Sequence, residues 1–403
     1  MFMLHRSQPA RCHVTTMKLD NCINIDDLRT LARQRLPAPM FHYLDGGADD
    51  EWTLRRNSDA FDDYQLLPSQ LSDISNIDLG TPLLGTRLGW PVLLAPTGMS
   101  RLFHEDAEYA VVRAAAKFDT LYSLSTVATA RLEDIARETP GPKMFQVYIF
   151  KDRGLTTEFV ERCKAAGYGA MCLTVDTPMA GNRERDKRTG MIMPPRFTLR
   201  SGISFMTHPR WSLKALLHGD FELKNVAHRV PASNTPMFLF DFINGQFDRS
   251  LTWKDAEWLA GLWGAGFVIK GVQSAGDAQR ALDAGAAAIM ISNHGGRQLD
   301  GAPAPVDCIA PIRDRVGDRL QLIVDGGIRR GTHVLKALAM GADACSIGRA
   351  YLYGLAAGGQ PGVEKALSIL RDEIHLGMAL LGTPTIDGIT RDHVIHRPRP
   401  ASR

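Results

Sequence analysis

A (β/α)8 barrel is the fold class the sequence predicts, and three observations carry it. Eight short apolar runs recur along the chain, each ending in a polar or glycine-containing tip. Helix-like stretches with apolar residues three or four apart lie between them. A length of 403 residues suits one large α/β domain.

In order, the runs are PVLLAPTG (91–98), LYSLST (121–126), MFQVYI (144–149), AMCLTVD (170–176), GFVIKG (266–271), AIMISNH (288–294), LQLIVDGG (320–327) and ACSIGR (344–349). Most are unbroken rather than alternating, as parallel strands covered on both faces must be. EDAEYAVVRAAAKF (105–118), RLEDIARE (131–138), TTEFVERCKAAG (156–167), SAGDAQRALDAG (274–285) and GTHVLKALAMG (331–341) read as helices. Three of them end in glycine, the favoured left-handed cap. A doubly wound open sheet is the competing architecture, but no GxGxxG follows the first strand. Between Asp176 and Phe267 some ninety residues intervene, so this α/β TIM barrel carries a large insertion after strand 4, at about 185–250. The barrel is expected over about 90–355, within a domain of 25–382. A helical cap with short strands precedes it, and 354–403 supply a closing helix and tail. Residues 1–24 and 383–403 are expected as terminal tails, with Met17 a second candidate start.

Composition narrows the function classes. With 23% charged and 44% hydrophobic residues the chain is neither disordered nor fibrous. A net charge of +3 gives no global field for nucleic acid, and none is expected as a partner. No apolar run approaches the roughly 18–20 residues of a membrane span, and the start lacks the apolar core of a secretory signal. Cys12, Cys22, Cys163, Cys172, Cys308 and Cys345 form no CxxC and no His–Cys spacing. Neither a metal site nor a disulfide framework is therefore expected, and a reducing, cytoplasmic compartment is.

Charge is uneven along the chain. Residues 191–230 carry Arg196, Arg200, Arg210, Lys214, Lys224 and Arg229 against Asp220 and Glu222, a net +4. Phe197, Phe205, Trp211 and Leu213 are interleaved with these bases, the composition of a segment lying in an anionic interface. An ordinary basic surface loop or a contact between subunits is the plainer alternative.

In barrels of this class function sits at the C-terminal strand ends. Those tips carry Pro96, Thr97 and Gly98; Ser125; Gln146 and Tyr148; Thr174 and Asp176; Lys270; Ser292, His294 and Arg297; Asp325, Gly326 and Gly327; and Gly348 with Arg349. A purely structural barrel does not require a polar residue at every tip. DGGIRRG and SIGRAYLYG offer free backbone N–H groups and arginines, as a phosphate cradle does, although tight βα turns alone would also use the glycines. Lys270, within FVIKG, must point into the barrel mouth, either as a Schiff base or as a fixed charge for an anionic cofactor. In SNHGGRQLD a histidine able to accept a proton near pH 7 stands three residues before an arginine able to clamp a carboxylate. Asp176 could orient His294 and stabilise its cation.

These segments resemble the FMN-dependent 2-hydroxy-acid oxidase and dehydrogenase family, which includes glycolate oxidase, flavin L-lactate dehydrogenase and mandelate dehydrogenase. SNHGGRQLD is the most specific element, supported in order by YLDGGADDEWTLRRN, APTGM, FQVYIFKDR, LTVDTP, VIKG, VDGGIRRG and IGRAYLYG. The resemblance implies FMN as cofactor and a small 2-hydroxy acid as substrate. Pro96, Thr97 and Gly98 would line the redox-active edge of the flavin, Ser125, Gln146 and Thr174 would hydrogen-bond its ring, Ser292 would also bind the cofactor, and Lys270 would favour the anionic reduced form. Asp325, Gly326, Gly327, Arg329, Gly348 and Arg349 would hold the ribityl and phosphate groups. His294 would be the base, assisted by Asp176. Arg297 and Tyr43 would bind the substrate carboxylate, Tyr148 its hydroxyl, with Arg183 close by. Val127 replaces a tryptophan of the plant glycolate oxidases, which opens the pocket to something larger than glycolate.

HPRWSLKALLHG is similar to a stretch of the membrane-associated bacterial lactate and mandelate dehydrogenases. The resemblance thus implies a homo-oligomer, a tetramer, held peripherally on the inner face of the cell membrane. Its electrons would pass to a quinone, the alternative being a soluble oxidase that reduces oxygen to hydrogen peroxide. A Schiff-base lyase using Lys270 is the remote third reading.

Overall fold

A computed structural model describes residues 17–192, 195–217, 222–229 and 245–397. The eight apolar runs become strands β1 (Val92–Thr97), β2 (Tyr122–Ser125), β3 (Lys143–Val147), β4 (Ala170–Thr174), β5 (Phe267–Val272), β6 (Ala288–Ser292), β7 (Gln321–Asp325) and β8 (Ala344–Ile347). Each pairs in parallel with the next, and β8 returns to β1 to close the barrel. Closure leaves no free edge, so every strand is buried on both faces, which is why the sequence runs are apolar without alternation.

The five expected helices form as Ala107–Lys117, Leu132–Glu138, Arg153–Ala165, Ala275–Asp283 and Gly331–Ala339. Gly167, Gly285 and Gly341 follow three of them with φ of 77°, 88° and 108°, the left-handed caps anticipated from their positions.

Inside the strands lies a core of Leu93, Met144, Cys172, Val268, Met290 and Ile323. Leu83 and Leu88 belong to the same cluster but come from an antiparallel hairpin, Thr81–Leu83 with Thr86–Leu88, that seals the N-terminal end. Gln321, the first residue of β7, fastens it by accepting from the Leu84 N–H and donating to the Pro82 carbonyl. A two-stranded hairpin is marginal alone and holds here because its leucines fill the lumen.

Three helices, Ile25–Arg35, Ala38–Asp45 and Trp52–Asp59, form the cap that the sequence predicts. The closing helix, Arg349–Leu381, breaks at Gly358–Gly359, where Gly359 has φ 62°. The stretch expected as a C-terminal tail folds back, with Val394–His396 pairing antiparallel to Tyr64–Leu66. Expectations placed on residues 1–16, with Cys12, and on 193–194, 218–221, 230–244 and 398–403 lie outside the described residues.

Asp45 joins cap to barrel. Its buried carboxylate accepts from Arg29 Nε and Nη2 at 2.6 and 2.9 Å, from Arg185 Nη1 at 2.9 Å and from the Tyr353 hydroxyl at 2.7 Å. Burial alone would raise its pKa, but these donors hold it well below the usual carboxylate range. A carboxyl with a depressed folded pKa stabilises the fold above its unfolded value, about 3.9, and loses that contribution as pH falls toward the folded value. Asp45→Asn is expected to cost about 2–3 kcal/mol near neutral pH. Urea denaturation should show the gap to wild type narrowing at about pH 3; a gap that stays constant with pH would contradict this account.

Candidate active site

The strand tips converge on a cavity of about 680 Å³, within the range of sites for small molecules and cofactors. Pro96, Thr97, Gly98, Ser125, Gln146, Tyr148, Thr174, Lys270, Asp325, Gly326, Gly327, Arg329, Gly348 and Arg349 all line it, as do Tyr43, Arg183, His294 and Arg297. Asp176 and Ser292 stand one layer behind, each hydrogen-bonded to a lining residue.

Lys270, 4% exposed, joins the lining to that second layer. Its ammonium lies 2.9 Å from Asp325 Oδ2, 2.9 Å from Ser292 Oγ and 4.0 Å from Asp176 Oδ2. Burial works against its charge, but Asp325 and Asp176 outweigh burial and push the pKa up. A lysine held this firmly protonated is the reverse of what a Schiff-base nucleophile needs. The Ser292 hydroxyl donates to Asp325 at 2.8 Å and accepts from Lys270 and from the His294 backbone N–H at 3.0 Å, which uses its one proton and both lone pairs.

His294 sits at φ 57°, a left-handed conformation that non-glycine residues adopt rarely and often at functional sites. Gly295 and Gly296 continue the turn at 64° and 72°. His294 Nδ1 is 2.9 Å from Asp176 Oδ1. Because an ionised carboxylate only accepts, Nδ1 carries the proton and Nε2 is left as the acceptor. Burial raises the Asp176 pKa, and the charges of His294 and Lys270 more than offset it, so Asp176 remains ionised.

Three residues after His294, Arg297 lies over the Tyr43 ring at 4.9 Å and donates to the Tyr43 carbonyl at 2.6 Å. Arg183 approaches the same ring at 5.6 Å. Burial, then the charge of Arg183, lowers the Arg297 pKa to about 10, which leaves it cationic at neutral pH. Tyr148 packs edge-on against Phe247 at 5.0 Å, and burial followed by the Asp176 charge pushes its hydroxyl up to about 12.

Five participants carry no assignment from sequence. Asn57 and Asn293 exchange side-chain hydrogen bonds at 2.8 and 2.7 Å and tie helix Trp52–Asp59 to the histidine turn. Glu108, fully buried, accepts from Ser100 N and Thr129 N, so one carboxylate fixes the loops after β1 and β2. Phe247 and Asp186 line the cavity from the insertion. The motif ending RRN contains Asn57, and only its partner across the fold distinguishes it from a surface residue.

Arg349 donates to the carbonyls of Leu44, Gly295 and Gly46 at 3.1, 2.8 and 2.7 Å, which pins the Tyr43 segment to the histidine turn. Arg329 packs over the Tyr353 ring at 5.8 Å. The residues fit a flavin mononucleotide. Gln146 Nε2, at the β3 tip, is a buried donor without a partner among the described residues, suited to a ring carbonyl. The turn after β7 brings Gly327, φ 78°, so close to Asn57 that an added Cβ would lie 1.9 Å from its carbonyl oxygen. Arg329, the N–H groups that Arg349 does not spend on those carbonyls, and the backbone N–H groups beside Gly348 could supply a phosphate's donors.

A barrel with these tips defines a class, and the chain belongs to the FMN-dependent dehydrogenase family, which matches it over residues 32–396. It is an FMN-dependent oxidoreductase of the 2-hydroxy-acid oxidase and dehydrogenase group. Glycolate oxidase 5 of Oryza sativa subsp. japonica is 39% identical over 372 residues, covering 92% of this chain and 95% of that protein. The crystal structure of the monotopic membrane protein (S)-mandelate dehydrogenase matches with a TM-score of 0.89 at 35% identity, over 93% of this chain and 100% of that one. A soluble mutant of the membrane-associated (S)-mandelate dehydrogenase from Pseudomonas putida gives 0.81 at 34% identity over the same shares.

Gly327→Ala tests the cradle. The substitution combines a disfavoured φ with a backbone collision, so the purified protein should hold well under one flavin per chain. The ratio of flavin to protein absorbance measures this; full occupancy would show that the turn yields easily.

Proposed function

We propose that the protein oxidises an L-2-hydroxy acid bearing an apolar side chain, such as L-lactate or a mandelate-like acid, to the 2-oxo acid at a membrane surface, passing the electrons to a quinone. The observation that carries the chemistry is the Asp176–His294 pair with Arg297, three residues on, at the same cavity. Arg297, with Tyr43 and Arg183, fixes the substrate carboxylate and so orients the reacting carbon. His294 Nε2 takes the hydroxyl proton, and Asp176 stabilises the imidazolium that results. Tyr148 donates to the hydroxyl oxygen. FMN held there would supply the two-electron acceptor, with the hydrogen on the substrate carbon leaving as those electrons are taken up. Its ring would rest on Pro96–Gly98, Ser125, Gln146, Thr174 and Lys270. Its ribityl phosphate would rest on Asp325, Gly326, Gly327, Arg329, Gly348 and Arg349. The Lys270 charge offsets negative charge gained on reduction. Met99, Phe103, Val127, Leu223 and Phe247 give the cavity an apolar wall that a glycolate molecule would leave unfilled.

The insertion supports the membrane reading in a corrected form. Phe205 and Trp211, expected among the interfacial side chains, face inward. They stack at 5.6 Å, and Trp211 Nε1 donates to the Leu102 carbonyl. The outer face of helices Leu199–Thr207 and Pro209–Leu217 is instead Leu199, Ile203, Met206, Leu213, Leu216 and Leu217, with Leu199 85% and Leu216 79% exposed. Six large apolar side chains on one face exceed the scatter of a soluble surface. Arg200 and Arg210 flank them in solvent, while Lys214 and Arg229 pair with Glu105 and Glu158. No helix among the described residues is long and apolar enough to cross a membrane, so attachment would be to one leaflet. The likeness to the monotopic dehydrogenase exceeds that to a soluble mutant, which agrees with this reading. A homotetramer with its bulk in the cytoplasm completes the proposal.

Replacing His294 by Ala should leave the protein yellow and lower turnover by about 10²–10⁴-fold. Dye-linked assays that retain a tenth of the wild-type rate would remove the histidine from its role. A panel of 2-hydroxy acids should favour those larger than glycolate, and peroxide yield in air separates the dehydrogenase from the oxidase.

Converting Leu199, Ile203, Leu216 and Leu217 to serine should release the protein from anionic phospholipid vesicles while dye-linked activity stays unchanged. The wild type should bind such vesicles more weakly as salt rises. Wild-type protein that stays in the supernatant at low salt would leave the soluble oxidase as the better account.

A further inference from the structure

The short helix Glu184–Thr189 carries a carboxylate into the cavity beside the arginines assigned to substrate binding. Asp186 is 5% exposed and its carboxylate accepts no hydrogen bond among the described residues, the Arg183 Nε lying 3.6 Å from Oδ2. A buried carboxylate without hydrogen-bond donors is a cost to the fold, and nothing structural here requires it. Burial pushes its pKa up, with Arg297 and then Arg183 drawing it back. Both arginines reach the same Tyr43 ring, so two positive charges and one negative charge share one wall of the cavity.

We propose that Asp186 is a specificity-determining counter-charge that fits this two-arginine wall to a monocarboxylate and turns dicarboxylates away. With Asp186 ionised the wall carries one net positive charge, which a monoanion neutralises. A second carboxylate would bring a negative charge up to Asp186 with nothing left to balance it. The wall without Asp186 would carry two charges and would suit a dianion. This inference rests on the assignment of Arg297 and Arg183 to the substrate carboxylate.

Oxamate and oxalate are nearly isosteric and differ by one charge, which makes them suitable probes. Each is titrated into the oxidised holoenzyme near pH 7.5 while the flavin absorbance is followed. Removing one nearby negative charge acts once on a monoanion and twice on a dianion, so a gain of f for oxamate should be about f² for oxalate. Asp186→Asn is expected to tighten oxamate about threefold and oxalate about tenfold, and Asp186→Glu should restore the wild-type ratio. Asp186→Ser serves the same purpose should the asparagine variant lose flavin. Equal gains for both anions, no gain, or weaker binding of both would overturn the proposal, the last by making Asp186 a support for Arg183. If wild-type enzyme binds neither anion, or Arg297→Met binds both normally, it is the carboxylate assignment that fails.

Discussion

A positive charge buried at the mouth of the barrel sets the terms for everything around it. The Lys270 ammonium is removed from water at the end of an apolar strand, where an unpaired charge would be prohibitive. Asp325 and Asp176 compensate it from β7 and from the loop after β4, and Ser292 fills the remaining contact from β6. Four neighbouring strand ends are thereby fixed relative to one another by the need to satisfy one cation. The same hydroxyl that meets the lysine holds the backbone of His294, so the left-handed turn is secured by the charge network beneath it. Flavin-facing and substrate-facing chemistry share a foundation, and damage to either half should be felt by the other.

Much of this was legible because the signals are local. Burial on both faces writes each strand as an unbroken apolar run, and a polar residue at the end of such a run stands out. Lys270, Asp325 and Thr174 were visible for that reason, and His294 because glycines flank it. What stayed hidden depends on partners far away in sequence. Asn57 becomes significant only beside Asn293, 236 residues on. Asp186 lies in RERDKR, which reads as a solvated charge run until the fold turns one of its members inward. Val394–His396 is too short to show a period, and only Tyr64–Leu66 makes it a strand.

The insertion illustrates a different limit. Its composition announced an amphipathic surface, but composition carries no phase. Aromatic residues drew attention as the obvious interfacial groups, yet Phe205 and Trp211 serve as the inner anchors because a large ring gains most by packing on the body of the protein. The aliphatic residues at helical spacing, Leu199, Ile203 and Met206, are the ones left outside. Backbone geometry, which decides which side of a helix faces the barrel, was the missing quantity.

The hairpin that stoppers the lumen bears on the order of events during turnover. Leu83 and Leu88 close the N-terminal end, so any molecule reaching the strand tips arrives from the opposite side. The acid and its oxidised product therefore come and go on the strand-tip side. An acceptor that approaches from that same side would take its turn there once the product has left. The natural kinetic form of such a catalyst is two half-reactions separated in time, with the reduced protein waiting between them as a species that can be isolated.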